Sequence, residues 1–382
     1  MRIDGAWRRD PGAQMLMAAL ATAGHRALFV GGCVRNAALD EPVDDIDIAT
    51  DARPERVMEI ADAAGLKSVP TGIDHGTVTV VAGGRGFEVT TFRRDVETDG
   101  RHAVVAFTAD VSEDAARRDF TMNALYAEAD GTLVDPLEGW PDLEARRVRF
   151  VGRAAERIAE DYLRILRYFR FHARYGDPEL GIDAEALAAC AEAAEGLEWL
   201  SAERVGRETV KLLSASDPAP SVAAMAQAGI LARVLPGADT AALAPLVHLE
   251  QLMGVAPEPI RRLAALGGED VAGRLRLSKA QARRLETLRG GIGAEAGTAE
   301  IAWRLGRGTA LDIELLRAAS FGAPLPADLE ARLELGAEAV FPVKGGDLAG
   351  RYEGAEIGRR LRQLERDWIA SGFTATREDL LG

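Results

Sequence analysis

Residues 27–49 read ALFVGGCVRNAALDEPVDDIDIA, and this stretch decides the fold of the first part of the chain. The apolar run 27–30 predicts a buried strand, and Gly31-Gly32 ends it and leads into a predicted short helix. The alternation over 43–49 predicts a second strand. The order of strand, glycine turn, helix and strand indicates a small mixed α/β unit.

The neighbouring sequence extends this unit and then changes character. Residues 77–81 and 87–92 flank a glycine-rich turn, and a shorter pair of apolar runs flanks Asp130-Gly131, so two hairpins are predicted. After about residue 150 a helical period dominates, and it predicts one long helix over 155–175. We therefore expect an α+β part with a mixed, largely antiparallel sheet, followed by an all-α remainder.

Composition narrows the class of protein. The 382 residues are 47% hydrophobic and 28% charged, which is typical of a soluble globular protein. The net charge of −14 argues against non-specific coating of nucleic acid, although it allows a local basic groove. Cys33 and Cys190 are too few for a disulfide framework or a cysteine-ligated zinc site. With no signal-peptide core and no apolar run of about 18 residues, the expected location is the cytoplasm.

The first candidate site combines two carboxylates with the glycine turn. On a strand, Asp45 and Asp47 would point to the same face. Mg²⁺ prefers carboxylate oxygens together with phosphate oxygens of a substrate, and a glycine turn with Arg35 offers donors to phosphate. The ordered combination predicts a triphosphate–Mg²⁺ site. The glycine turn and the acidic pair are each common when they occur alone, because many proteins have such turns or solvated acidic strand ends without a binding function.

Two further segments could complete this site. Glu88, on the predicted strand 87–92, could supply the third carboxylate of a two-metal centre, or it could be an edge residue in solvent. In the segment RRDFTMNAL, 117–125, Arg118 could hold phosphate, and Asp119 or Asn123 could bond a ribose hydroxyl. From spacing alone, a helix N-terminal turn with a capping Asp or Thr is favoured for this segment.

Four charged residues recur every three positions on the predicted long helix: Asp161, Arg164, Arg167 and Arg170. This spacing puts them on one helix face. Cytosine and adenine present an amino donor beside a ring-nitrogen acceptor, and uracil and guanine present the opposite order. An acceptor at Asp161 beside a donor at Arg164 matches C and A, and each mismatched buried group costs roughly 1–3 kcal/mol. The alternative is a solvated, ion-paired surface.

Six ordered motifs carry a family resemblance: GGCVRN (31–36), VDDIDIAT (43–50), HGTVTV (75–80), FEVTTFR (87–93), RRDFTMNALY (117–126) and EDYLRILRYFRFHARYG (160–176). Their order, spacing and residues resemble those of class II tRNA nucleotidyltransferases, the CCA-adding enzymes, and of bacterial poly(A) polymerases. The C-terminal stretch 343–381 is also similar to the end of family members. One departure is Asn36, where the family usually has Asp.

The resemblance implies a nucleotidyltransferase head at 1–140, a neck at 141–215, a helical body at 216–290 and a tRNA-binding helical tail at 291–382. It also implies roles for single residues, with Asp45 and Asp47 as metal ligands, Glu88 as third carboxylate, Gly32 and Arg35 at the triphosphate, Arg118 and Asp119 at the nucleotide, Asp161 and Arg164 as base template, and Arg167 and Arg170 assisting. Glu203 and Arg204 resemble a motif that supports the neck.

The implied activity is the addition of C, C and A to the 3′ end of tRNA. It would use CTP, ATP and Mg²⁺, release pyrophosphate and proceed by two-metal nucleotidyl transfer. A poly(A) polymerase and a partial enzyme that adds only CC or only A are the nearest alternatives. Segment 94–104 resembles the flexible loop of full CCA-adding members, which favours full or A-adding activity. An inactive tRNA chaperone and a small-molecule nucleotidyltransferase are the more distant alternatives.

Overall fold

The computed structural model describes residues 1–98 and 103–382. The chain forms two compact units, Met1–Pro236 with Arg274–Arg276, and Gly237–Gly273 with Leu277–Gly382. The candidate residues named above all belong to the first unit. None of the described helices has the length and the apolar character that crossing a membrane would require.

The strands of the described chain are β1 Ala27–Val30, β2 Asp47–Thr50, β3 Lys67–Gly72, β4 Thr77–Ala82, β5 Arg85–Thr91, β6 Arg93–Thr98, β7 Ala103–Phe107, β8 Tyr126–Ala127 and β9 Leu133–Val134. The main sheet has the order β3-β4-β5-β2-β1-β8-β9. Strands β2 and β5 pair in parallel and the other neighbours pair antiparallel, which confirms the predicted mixed sheet. The apolar run of β1 is buried throughout, as the sequence predicts for a central strand.

The helices of the first unit are α1 Pro11–Thr22, α2 Gly32–Ala38, α3 Pro54–Ala63, α4 Val111–Ala116, α5 Trp140–Glu144, α6 Ala154–Glu160, α7 Leu163–Tyr175, α8 Ala184–Glu192, α9 Ala202–Leu213, α10 Ala219–Gln227 and α11 Ile230–Val234. Helices α1 and α3 pack on the sheet, and α7 packs against α9. The mostly helical chain after the sheet confirms the predicted fold class.

Both predicted hairpins form, and one strand differs from prediction. The β4–β5 turn consists of Gly83 and Gly84, with φ of 59° and 82°, a backbone that suits a tight hairpin and that favours glycine. Strand β2 begins only at Asp47, so the prediction of a strand from residue 43 is wrong for its first half. Asp45 therefore lies just outside the strand, and the two carboxylates are not placed by strand alternation.

The predicted single helix over 155–175 is also wrong, because it is broken at Asp161. The backbone of Asp161 is extended, with φ −156° and ψ 106°. Its Oδ1 accepts a hydrogen bond from Leu163 N at 3.1 Å, and its carbonyl accepts one from Arg164 N at 3.0 Å. An aspartate that bonds the next backbone amides competes with the continuing helix and starts a new one. Asp161 thus precedes α7 rather than sharing a face with its arginines.

Strands β6 and β7 form a separate two-stranded antiparallel sheet. They take up most of segment 94–104, which resembles the flexible loop of full CCA-adding members. Residues 99–102 of that segment lie outside the described residues.

Helices beyond residue 236 are α12 Leu243–Leu252, α13 Pro259–Leu266, α14 Val271–Arg274, α15 Lys279–Ile292, α16 Thr298–Leu305, α17 Arg307–Phe321, α18 Leu329–Glu338, α19 Ala355–Ala370 and α20 Arg377–Leu381. A buried ion-pair network joins α12, α13 and α17. The Glu250 carboxylate forms ion pairs with Arg261 and Arg262, each with an N–O distance of 2.7 Å. Arg261 also forms an ion pair with Asp312 at 2.6 Å. Arg262 is fully buried.

A Glu250→Ala variant tests the weight of this network. It leaves two buried guanidiniums without their shared carboxylate, so we expect the free energy of unfolding to fall by about 3–5 kcal/mol. Urea denaturation followed by circular dichroism measures it. Glu330→Ala is the control, because Glu330 pairs with Arg307 at the surface, where an ion pair contributes little. Equal denaturation midpoints for the two variants would contradict a stabilising role for the network.

Candidate active site

Three carboxylates line one pocket at the end of the central strands. The pocket is lined by Asp45, Ile46, Asp47, Thr79, Gly86 and Glu88. Asp47 and Glu88 are register partners on the parallel strands β2 and β5, so their side chains leave the same face of the sheet. Asp45 reaches the pocket from the irregular segment before β2. The structure therefore brings the three acidic candidates together, although by a different backbone path from the predicted one.

This pocket concentrates negative charge. Burial, and then the carboxylates of Glu88 and Asp45, raise the pKa of Asp47 to about 6, while Arg118 acts in the opposite direction. Among the described residues, no group of three or more His, Cys, Asp or Glu side chains is arranged so that it could hold a metal ion. Mg²⁺ usually takes one or two carboxylates and completes its shell with water and substrate phosphate. The residues therefore fit a divalent cation that arrives with a phosphate-bearing substrate.

Arg118 lies beside the glycine turn and acts electrostatically on Asp47 of this pocket. A Cβ built on Gly31 would lie 3.5 Å from Arg118 Nη1, and the φ of Gly31 is 68°, so the turn favours glycine. Arg118 donates to Tyr126 Oη at 3.0 Å and to Asp114 Oδ2 at 2.9 Å, and Tyr126 donates to the same oxygen. Although burial opposes the shift, Arg118 and Arg117 lower the pKa of Asp114 to about 2. The buried, ionised Asp114 thus fixes the direction of Arg118.

Arg35 is buried among neutral partners. Its guanidinium donates to Asn36 Oδ1 at 3.1 and 2.8 Å, to Tyr175 Oη at 2.8 Å and to Asn123 Oδ1. It also lies over the rings of Tyr175 and Phe171, with distances of 4.2 and 5.1 Å to the ring centroids. Burial lowers its pKa. Because Asn36 carries no charge, the positive charge of Arg35 is not cancelled by the side chains that hold it.

Asp119 connects the segment after α4 with helix α7. Its Oδ1 accepts from Phe120 N at 2.9 Å and from Asn123 Nδ2 at 2.8 Å, and its Oδ2 accepts from Arg167 Nε at 2.8 Å. The prediction of a capped helix start is wrong, because α4 ends at Ala116 and the following 3₁₀ turn has no side-chain cap. Asp119 is almost fully buried, and its role here is to hold Arg167.

The arginines of α7 have carboxylate partners from three different segments. Arg164 pairs with Glu160 and donates to the carbonyls of Arg157 and Arg117 at 2.8 and 3.1 Å. Arg170 donates to Glu208 at 2.5 Å. The side chains of Arg164, Arg167 and Arg170 are only 13–32% exposed. The row is therefore ion-paired, but it is not a solvated helix surface.

The predicted pair of Asp161 and Arg164 is replaced by two other pairs. Asp161 Oδ2 accepts from Arg204 Nη2 at 2.7 Å, and Arg164 is held by Glu160. The only sequence-based expectation for Arg204 is the one that the family resemblance implies, which is support of the neck. The partners that spacing missed are Asn123, Asp114, Glu160, Glu208, Tyr126 and Tyr175. Of these, Glu160 and Asp114 give a local signal, since Glu160 lies four residues before Arg164 and Asp114 lies four residues before Arg118.

Comparison with known proteins places this geometry in a family. A family model described as the Poly A polymerase head domain matches residues 27–149. A second model, described as a probable RNA and SrmB-binding site of polymerase A, matches residues 179–241.

Full-length and partial relatives give the same result. The mitochondrial CCA tRNA nucleotidyltransferase 1 of Mus musculus is 35% identical over 394 residues, which cover 97% of this chain and 89% of that protein. The CCA-adding enzyme of Streptococcus gordonii is 45% identical over 195 residues, which cover 50% of this chain and 47% of that protein. The crystal structure of the Bacillus stearothermophilus CCA-adding enzyme in complex with CTP has a TM-score of 0.71 and 29% identity, covering 95% of this chain and 94% of that one.

Proposed function

This chain belongs to the family of CCA tRNA nucleotidyltransferases and poly(A) polymerases, and from that premise we propose that it adds C, C and A to the 3′ end of tRNA. CTP and ATP are the nucleotide donors and pyrophosphate is the leaving group. The observation that carries the proposal is the pocket that Asp45, Asp47 and Glu88 share within the matched head region. The cytoplasmic location belongs to the same proposal.

In this mechanism Asp45 and Asp47, with Glu88 beside them, would hold Mg²⁺. The ion, when bound, supplies positive charge to the triphosphate and makes the attacking hydroxyl more acidic. Glu88 accepts the proton of the tRNA 3′-hydroxyl, whose oxygen then bonds to the α-phosphorus. The bond from that phosphorus to the bridging oxygen breaks, and its electron pair leaves with pyrophosphate. The protein contributes mainly position and charge.

The triphosphate is expected to lie along the glycine turn. Gly31 and Gly32 allow the close approach of phosphate oxygens, because a side chain there would occupy the space in front of the turn. Arg118 aims one nitrogen at this turn, and Arg35 adds a buried charge that its neutral partners leave uncancelled. Both guanidiniums would stabilise the negative charge that builds on the leaving group.

Base selection is assigned to the break between α6 and α7. Asp161 and Arg164 have the acceptor and donor that C and A require, and in the structure both also engage other protein groups. An incoming base must therefore replace part of these contacts, and Glu160 and Arg204 would orient the two side chains as it does. Arg167 and Arg170 lie further along α7 and assist through charge.

An Arg164→Ala variant tests the assignment. We expect it to reduce the preference for CTP over UTP by about 10- to 100-fold, since an unpaired buried group costs about 1–3 kcal/mol. The kcat/KM for each of the four nucleotides measures this preference. Arg153→Ala is the control, because Arg153 is an exposed arginine that pairs with Glu156 outside the site. Equal loss for all four nucleotides in the Arg164 variant would contradict a template role.

The tail offers a surface for the tRNA backbone. On α19 the exposed residues Arg359, Arg362 and Arg366 follow a spacing of three and four, so they share one helix face. Within the part of the chain that the structure describes, no carboxylate forms an ion pair with any of them. In a chain of net charge −14, such a stripe supports contact with phosphates by the proposed tail.

Three tRNA primers test the activity itself. They lack the whole CCA end, its last two nucleotides, or the final A, and each is incubated with CTP, ATP or both. The proposal predicts two C residues and one A at most, each added only where it is missing. An open-ended A ladder would identify a poly(A) polymerase, and addition of C alone or A alone would identify a partial enzyme.

A further inference from the structure

One tryptophan of the first unit is exposed. Trp199, at the end of a short 3₁₀ segment, is 67% exposed, whereas Trp7 and Trp368 are buried and Trp140 and Trp303 are half-buried. An indole is a large apolar surface, and leaving it in water is unfavourable unless it has a partner. The surrounding residues indicate which partner it has.

The indole is fixed next to the base-selecting break. Its ring meets the ring of Tyr162 edge to face, with centroids 5.3 Å apart, and Tyr162 directly follows Asp161. A Cβ on Gly196 would lie 2.1 Å from the Tyr162 ring, so this glycine lets the ring lie flat on the backbone before Trp199. Five residues after Trp199, Arg204 holds the Asp161 carboxylate at 2.7 Å. Residues 196–204 thus position both the indole and Asp161.

Cations for a nucleic-acid backbone lie in the same region. Arg207 is exposed one helical turn after Arg204, and the exposed Arg274 lines a pocket that also contains Glu198, whose carboxylate pairs with Arg233 at 2.7 Å. Within the described part of the chain, neither arginine forms an ion pair with a carboxylate. Trp199 and Arg207 also fall in the region 179–241 that matches the family model described as a probable RNA-binding site. Together these observations favour an RNA partner for the indole.

We propose that Trp199 stacks against the 3′-terminal base of the tRNA primer and holds it beside the incoming nucleotide. This inference rests on the proposed function and names a positioning residue for it. The terminal base of the primer changes with every addition, so a hydrogen-bonding pocket for one base would reject the next primer. A stacking surface accepts each of them, because every base has a π-face.

Trp199→Ala is the direct test. We expect KM for tRNA to rise about 5- to 100-fold, from the measured range for loss of one base–aromatic stack, with little change in KM for CTP. The increase should be similar for primers that end before CCA, after C and after CC. Trp199→Phe, which keeps an aromatic face, should restore most of the affinity. Met15→Ala is the control, since Met15 is an exposed apolar residue of helix α1, which packs on the sheet.

Fluorescence gives a second readout that a purely structural role would not change. In the wild type, binding of primer tRNA should quench emission from the exposed indole, and most of this quenching should be missing in Trp199→Phe. Overlapping quenching curves together with an unchanged KM in Trp199→Ala would overturn the proposal. So would a KM effect confined to one primer, because stacking is base-tolerant. If quenching occurs but no CCA is added, the RNA contact holds and the proposed activity fails.

Discussion

An Asp47→Asn variant is expected to transfer nucleotides at a rate that is lower by about 10³-fold or more. The reason is that the charge stabilisation supplied through a bound metal amounts to several kcal/mol. Asparagine has nearly the same shape but cannot supply the negative charge that a divalent cation requires. The rate of CTP incorporation into tRNA that lacks CCA, measured at saturating Mg²⁺, gives the effect. Binding of tRNA itself should be unchanged.

The control for this experiment is Asp44→Asn. Asp44 is an exposed neighbour that does not line the carboxylate pocket. Its variant should keep nearly full activity. Protein stability separates loss of chemistry from loss of folding. The folded-state pKa of Asp47 is raised to about 6, so above that pH its ionised form costs stability, and Asp47→Asn should melt no lower than the wild type. Nearly full activity of the Asp47→Asn variant would contradict a role of the carboxylate pocket in nucleotide transfer.

Arg118→Ala is expected to have the second largest effect, a decrease in kcat/KM for CTP of about 10²- to 10³-fold, the range found when a group that stabilises transition-state charge is removed. The reason is position, because Arg118 Nη1 lies only 3.5 Å from a Cβ built on Gly31 in the glycine turn. Steady-state kinetics with varied CTP at saturating tRNA measure the decrease.

Arg117→Ala provides a matched control for Arg118. Both arginines pair with the buried Asp114, at 3.0 and 2.9 Å, and their side chains are 18% and 19% exposed. The two variants therefore remove a similar ion pair from the same carboxylate, and they should destabilise the protein to a similar extent. Only the loss of Arg118 should reduce catalysis strongly. Similar kinetic losses in both variants would show that the arginines act through Asp114 and not at the triphosphate.

The sequence predicts features whose causes are local. The glycine turn after β1, the β4–β5 hairpin and the burial of β1 follow from glycine and from apolar patterning within a few residues. The prediction of one helix over 155–175 is wrong because the apolar periodicity continues through Asp161. The break is caused by the Asp161 side chain, which accepts a hydrogen bond from the backbone amide of Leu163. The helical period of apolar residues does not show where a side chain competes with the helix for backbone hydrogen bonds.

The long-range ion pairs of the site could not be predicted for a different reason. Asp161 and Arg164 are three residues apart, yet each prefers another partner, and Arg204 lies 43 positions from Asp161. Asp119 and Arg167 are 48 positions apart. Pairs of this kind depend on how helices pack, as α7 does on α9, and not on spacing along one helix. The family resemblance names these residues as a group but gives no information on which of them form pairs with each other.

The central claim is that the front carboxylates bind a divalent cation together with the triphosphate. The most direct measurement is the affinity of CTP for the protein with and without Mg²⁺, in the wild type and in the double variant Asp45→Asn with Asp47→Asn. We predict that Mg²⁺ strengthens CTP binding strongly in the wild type and has almost no effect in the double variant. An equal gain from Mg²⁺ in both proteins would contradict the claim.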